Sequence, residues 1–138
     1  MVTNIANISV SGLVAASRRL ETATHNIANA NSVGRLDLGP SPSTALRGQK
    51  AYQPRRLQQF SLENGGVATR EVPVTPATVP RFSPGHPLAN ADGLVAAPNV
   101  SLAEQLVELK LAANSYRINA TVLKITNQIT GKLLDALS

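Results

Sequence analysis

The residues able to do chemistry are few and far apart. Only two histidines occur, His25 and His86, and cysteine is absent. Neither histidine has a His or carboxylate companion at ligand spacing, so neither proposes a metal centre or a proton relay. The lack of cysteine removes disulfides, thiolate zinc sites and thiol nucleophiles together. Gly65-Gly66 is not followed by Lys-Ser or by a helical pattern, so no phosphate-binding loop is indicated. The eight carboxylates are dispersed, with no glycosidase-type pair. The expectation is a protein that is not an enzyme, with no catalytic, cofactor or metal residue.

Arg55-Arg56, near Arg47, Lys50 and Tyr52, is the one basic cluster. It reads as a solvated hairpin face available for outer contacts. Thirteen Lys and Arg against eight Asp and Glu give a net charge of +5, a balance that permits non-specific attraction to nucleic acid, acidic lipid or cell-wall polymer without choosing among them. No recognition helix, zinc finger or aromatic single-strand pattern accompanies the charge, so no specific nucleic-acid partner is expected. A small basic nucleic-acid-binding protein stands as the alternative from another class.

The elements around these residues are set by proline. All nine prolines lie between Pro40 and Pro98, which leaves both ends free of helix breakers. The division is into an N-terminal helix over residues 1–33, a middle of loops and β-hairpin over 34–98, and a C-terminal helix over 99–138. The fold class is mainly α, with the terminal helices paired as a coiled coil.

In the first helix Ile5, Ile8, Gly12, Ala16, Leu20, Ala23, Ile27 and Ala30 recur at steps of three and four. They form one stripe along a helix of about 28 residues. Gly12, Ala16 and Ala23 allow close approach of a partner backbone, and Gly34 is a C-terminal stop.

In the second helix Ser101 and Glu104 have the spacing of a capping box, with Asn99 as another possible cap. From there Leu102, Leu106, Leu109, Ala113, Tyr116, Ala120, Leu123, Asn127, Thr130, Leu134 and Leu137 keep a seven-residue period, the mark of a left-handed coiled coil. Asn127 is the polar seam residue expected to fix register. A second row, Val107, Leu111, Ile118, Val122, Ile125, Ile129 and Leu133, exceeds what one partner helix covers and calls for other subunits.

In the middle segment, residues 57–62 and 67–74 flank Asn64-Gly65-Gly66 and predict a hairpin. Pro40-Ser41-Pro42-Ser43 and Val72-Pro73-Val74-Thr75-Pro76 read as extended. The segment from Met1 to Ala16 has no positive charge and is interrupted by Asn4, Asn7, Ser9 and Ser11, so no cleavable signal peptide is expected. No membrane span is expected either, since no stretch approaches roughly 20 apolar residues.

The run His25-Asn26-Ile27-Ala28-Asn29-Ala30-Asn31-Ser32 with Gly34 resembles the N-terminal signature of bacterial flagellar rod and hook proteins. Pro98-Asn99-Val100-Ser101-Leu102-Ala103-Glu104-Gln105-Leu106-Val107, continuing to Asn114-Ser115-Tyr116-Arg117-Ile118-Asn119-Ala120, resembles the C-terminal one. The short length and residues 84–95 are most similar to proximal rod members, with a distal rod or hook-type subunit as the alternative.

This resemblance implies a structural subunit of the basal-body rod, located in the periplasm and exported by the flagellar type III apparatus without signal cleavage. Its terminal helices would polymerise with copies of itself and other rod subunits, transmitting torque next to basal-body ring proteins. The assembly residues expected on this reading are Ile5, Ile8, Leu20, Asn26, Ile27, Asn29, Leu102, Leu106, Leu109, Tyr116, Leu123, Asn127 and Leu134. Arg55 and Arg56 are the outer contacts.

Overall fold

The computed structural model describes residues 2–36, 50–63 and 65–137. The expected extended run Pro40-Ser41-Pro42-Ser43, together with Arg47 and Asn64, lies outside the described residues. The element order is α1 (Val2–Ala28), β1 (Arg55–Ser61), β2 (Val67–Pro73), β3 (Thr78–Phe82), β4 (Leu94–Pro98) and α2 (Leu102–Leu137). Two long terminal helices thus enclose a small β region. The helices have 27 and 36 residues, or about 40 and 54 Å at about 1.5 Å per residue.

The helices pack antiparallel. Asn26 meets Gln105, Arg19 approaches Glu108 at 3.9 Å, and the Gly12 backbone lies under the Asn119 side chain. From the first contact to the last, α1 runs back from 26 to 12 while α2 runs forward from 105 to 119. By this register the two helices begin flush at the Asn26 end, and the last two turns of α2 extend beyond the start of α1.

Helix α2 opens as the sequence predicts at Ser101, whose Oγ accepts the Glu104 N–H at 3.4 Å. Asn99 is not the cap. Its Nδ2 donates to the Pro76 carbonyl at 2.9 Å, which ties the helix start to the β region.

The expected hairpin is present as β1 and β2, paired without interruption from Arg55↔Pro73 to Ser61↔Val67. Gly65 and Gly66 take φ of 80° and 92°, the left-handed values a tight turn requires. A second antiparallel hairpin, β3–β4, was not expected from the sequence. Pro80 sits in the middle of β3 opposite Ala96, and the pairing survives because Ala96 uses its own N–H and C=O on Gly34, each at 2.9 Å. Pro80 therefore occupies a position where no N–H is needed.

Among the described residues the buried apolar set is Ala15, Ala16, Ala23, Val95, Ala96, Ala97 and Ala112. That is six alanines and one valine, a core built by close backbone approach rather than by large side chains.

Candidate assembly surface

The intrachain helix contact runs along a polar and small-residue line. On α2, Ala112 and Thr126 are buried and Gln105 and Asn119 half-buried, four positions seven residues apart. On α1 the matching line is Ser9, Gly12, Ala15, Ala16, Thr22, Ala23 and Asn26. Ser9 and Thr22 satisfy their buried hydroxyls on the carbonyls four residues back, Ile5 at 3.0 Å and Arg18 at 2.9 Å.

The seven-residue period is therefore present, but the phase of the intrachain contact differs from the stripe of large residues. The expected apolar row flanks that contact instead of filling it. Leu102, Leu106, Tyr116 and Leu134 are exposed, with Leu106 at 58 % and Leu134 at 64 %. Leu109 and Leu123 are half-buried. Asn127 is exposed beside Leu13, Ala120 and Leu123, so the polar residues of α2 set into the helix pair are Gln105, Asn119 and Thr126.

The second row is uncovered as well. Val107, Leu111, Ile118, Val122, Ile125, Ile129 and Leu133 are all exposed, and so are Ile5, Ile8, Val10 and Val14 on α1. Leu20 and Ile27 are half-buried. Small residues thus face inward and large aliphatic residues outward, the reverse of a self-contained helical domain.

Asn26 holds the other end of this surface in place. The residue is 2 % exposed, and its carboxamide uses its full hydrogen-bonding capacity. Nδ2 donates to the Arg55 carbonyl at 2.7 Å and to Gln105 Oε1 at 3.0 Å. Oδ1 accepts from Tyr52 Oη–H at 3.0 Å and from the Arg55 N–H at 3.2 Å. One side chain thereby joins α1, β1, the segment before β1 and α2.

Burial pushes the Tyr52 phenol up; the Arg55 charge opposes that shift and the Glu71 charge adds to it. Asn29 closes the C-terminal end of α1, its Nδ2 donating to the His25 carbonyl at 2.9 Å. Ser32 Oγ donates to the Asn29 carbonyl at 2.8 Å before the chain reaches its bridge at Gly34.

The β1–β2 hairpin lies against α1. Ser11 Oγ accepts the Val67 N–H at 3.1 Å, Arg18 donates to Thr69 Oγ1 at 3.3 Å, and the single Thr22 hydroxyl proton is shared between the Arg18 carbonyl and Glu71 Oε1, the latter at 3.1 Å. Gly66 is required by contact as well as by φ, since a Cβ there would stand 2.6 Å from Ser11 Oγ. Arg55 is bound to Glu71 at 2.8 Å. The hydrogen bond from Arg55 holds the Glu71 carboxyl below the usual carboxylate range, and the Thr22 hydroxyl adds to this against some desolvation. Arg56 is exposed and lines a groove with Glu104 and Glu108.

Gln105, Ala112, Asn119, Thr126 and Glu71 were not among the candidate residues, and Tyr52 was named only as a neighbour of the basic pair. The seven-residue spacing of the first four was present in the sequence, hidden by their small or polar character. Among the described residues no group of three or more His, Asp or Glu is placed to hold a metal ion. No described helix is long and apolar enough to cross a membrane.

Comparison with known proteins bears on this surface. A family model described as flagella basal body rod protein matches residues 7–34, the stretch of α1 that contacts α2 and the hairpin, together with its exit to Gly34. The chain is 37 % identical over 132 residues to the flagellar basal-body rod protein FlgC of Yersinia enterocolitica, covering 95 % of this chain and 94 % of that protein. Identity to the protein of the same name from Salmonella typhimurium is 34 % over 132 residues, again 95 % and 94 % of the two chains. The one from Agrobacterium fabrum is 28 % identical over 135 residues, covering 96 % and 92 %.

Proposed function

The chain belongs to the family of flagellar basal-body rod proteins, and from that premise we propose that it is a subunit of the proximal rod that polymerises through its terminal helices. It is a structural protein of the basal body. The observation that supports polymerisation is the reversed packing of the helix pair, with alanine, glycine and polar residues inside and two rows of Leu, Ile and Val outside.

Burying one exposed Leu or Ile contributes about 1.5–3 kcal/mol, so the outer rows hold far more unrealised stabilisation than the alanine contact between the helices. Neighbouring subunits supply the missing cover, and the row from Leu102 to Leu134 supplies a coiled-coil seam between them. Ile5, Ile8, Leu20 and Ile27 extend that seam onto α1. Asn26 and Asn29 act within the chain, holding the hairpin and the exit of α1 so that the helices present a fixed face.

The proximal rod position carries the remaining expectations. The subunit reaches the periplasm through the flagellar type III apparatus without signal cleavage, passes torque along the rod, and meets basal-body ring proteins through the hairpin side, where Arg55 and Arg56 lie. Electron cryo-microscopy of basal bodies purified from cells expressing an epitope-tagged chain tests this placement. Density for the tag at the membrane-proximal end of the rod is expected. Tag density confined to the distal rod or hook, or its absence from basal bodies, contradicts it.

A further inference from the structure

The two hairpins have four outer strand edges, and three carry a device that blocks strand addition over part of their length, although among the described residues the Thr69 N–H and both main-chain groups of Glu71 on β2 stay open. In an antiparallel ladder alternate residues bond to the partner strand, and those between them direct N–H and C=O outward. The bonds Leu62 N–H to Gly66 O at 3.2 Å and Val74 N–H to Pro54 O at 3.0 Å set the alternation, leaving Arg55, Leu57, Gln59 and Ser61 outward on β1. By the same pairing Val67, Thr69, Glu71 and Pro73 point outward on β2.

On β2, Ser11 takes the Val67 N–H, Arg18 takes the Thr69 carbonyl at 3.5 Å, and Pro73 has no N–H to offer. On β4, Gly34 takes both groups of Ala96, and Asn90 takes both groups of Leu94 through its Oδ1 at 2.8 Å and its backbone N–H at 2.9 Å. The β3 edge is interrupted by Pro80. Such devices are how sheets prevent unwanted strand addition.

The β1 edge is treated differently. Its first outward residue, Arg55, has N–H and C=O both bonded to the Asn26 carboxamide, which stands where the amide of another strand would. Beyond it the outward N–H and C=O of Leu57 and Gln59 have no partner among the described residues. This stretch has no proline and no bulge. It borders a groove of about 530 Å³ where β1 meets both helices, lined by Arg19 and Ala23 of α1, Arg56 and Leu57 of β1, and Glu104 and Val107 of α2. Val107 also belongs to the exposed outer row of α2, so the groove is continuous with the face assigned to subunit contacts.

We propose that residues 57–61 receive an extended segment of a neighbouring rod subunit, which adds a third strand to the hairpin. Alternating outward N–H and C=O groups select an extended main chain rather than a helix. The placement beside Val107 makes the donor a subunit already packed on α2. This inference rests on the rod reading.

Substitution of Gln59 by proline tests it, because the Gln59 N–H is not used within the hairpin and its loss blocks only the outer edge. In flagellated cells, recovery of Gln59→Pro in purified basal bodies is expected to fall at least tenfold while Gln59→Ala matches the wild type. Recovery of Gln59→Pro at the wild-type level overturns the proposal and leaves the rod reading intact. Absence of the wild-type chain from basal bodies instead overturns the rod reading, and with it the proposal.

A photo-cross-linking amino acid at position 59 gives a second reading that does not depend on how well the proline variant folds. A covalent adduct to another rod subunit supports strand addition. An adduct confined to its own chain, or none, overturns it.

Discussion

At the scale of single residues, Asn26 is where the chain is most tightly specified. Removing its carboxamide, itself 2 % exposed, leaves the Arg55 main chain, the Tyr52 hydroxyl and Gln105 without their partner at a part-buried junction. A buried polar group without a partner costs about 1–3 kcal/mol, so Asn26→Ala should release the start of β1 from both helices. Limited trypsin digestion of the full chain is expected to cut at Arg55 and Arg56 at least tenfold faster than in the wild type. An unchanged rate would mean that the network does not hold the hairpin.

Glu71 gives a pH signature. Its carboxyl is held below the ordinary value of 4.5, chiefly by Arg55. A lowered folded-state value stabilises the docked hairpin above the unfolded pKa, and that stabilisation is lost as the pH falls through the folded value. The rate of cutting at Arg56, probed with an acid-tolerant protease, should rise below about pH 4.5 in the wild type. In Glu71→Gln it should be higher at neutral pH and flatter toward acid. Parallel profiles for the two chains would remove Glu71 from the account.

At the scale of elements, the helix pair depends on close approach. A Cβ at Gly12 would fall 2.6 to 2.8 Å from the Asn119 carboxamide atoms, so Gly12→Val forces that side chain aside or the helices apart. A loss of about 1–3 kcal/mol is expected, read as a lower midpoint in thermal circular dichroism. Gly12→Ala should be much milder, because its better helix propensity of about 1 kcal/mol offsets part of the clash.

The same contact explains what the sequence disclosed and what it concealed. The Ser101 cap and the first hairpin were legible because capping chemistry and the Gly65-Gly66 turn are local signals, whereas α1 ends at Ala28, short of the expected residue 33, and Gly34 pairs with Ala96 instead of stopping the helix. The period of seven was legible, but its phase was not. A search for large apolar residues finds Leu106, Tyr116 and Leu123, whereas the chain pairs its own helices through Ala112, Asn119 and Thr126. The second hairpin was hidden by Pro80 and by the unalternating run of β4, and both make sense only once Gly34 is seen to close Ala96. Asn26 stood out through the family signature alone, since nothing about a lone Asn on a helix announces four partners in three other segments.

At the scale of the whole molecule, the large aliphatic side chains face solvent and the small ones face one another. Such a chain has more to gain from its neighbours than from itself, which is what supports the proposal that the rod is held through these uncovered rows.

The most direct test is the basal-body occupancy of Leu111→Asp, Ile118→Asp and Ile125→Asp, residues that are exposed in the single chain and whose replacement leaves the intrachain contact untouched. Each variant should keep the helix content of the wild-type chain and be recovered with purified basal bodies at less than a tenth of its level. Wild-type recovery of all three would contradict the assignment of the outer α2 face to assembly.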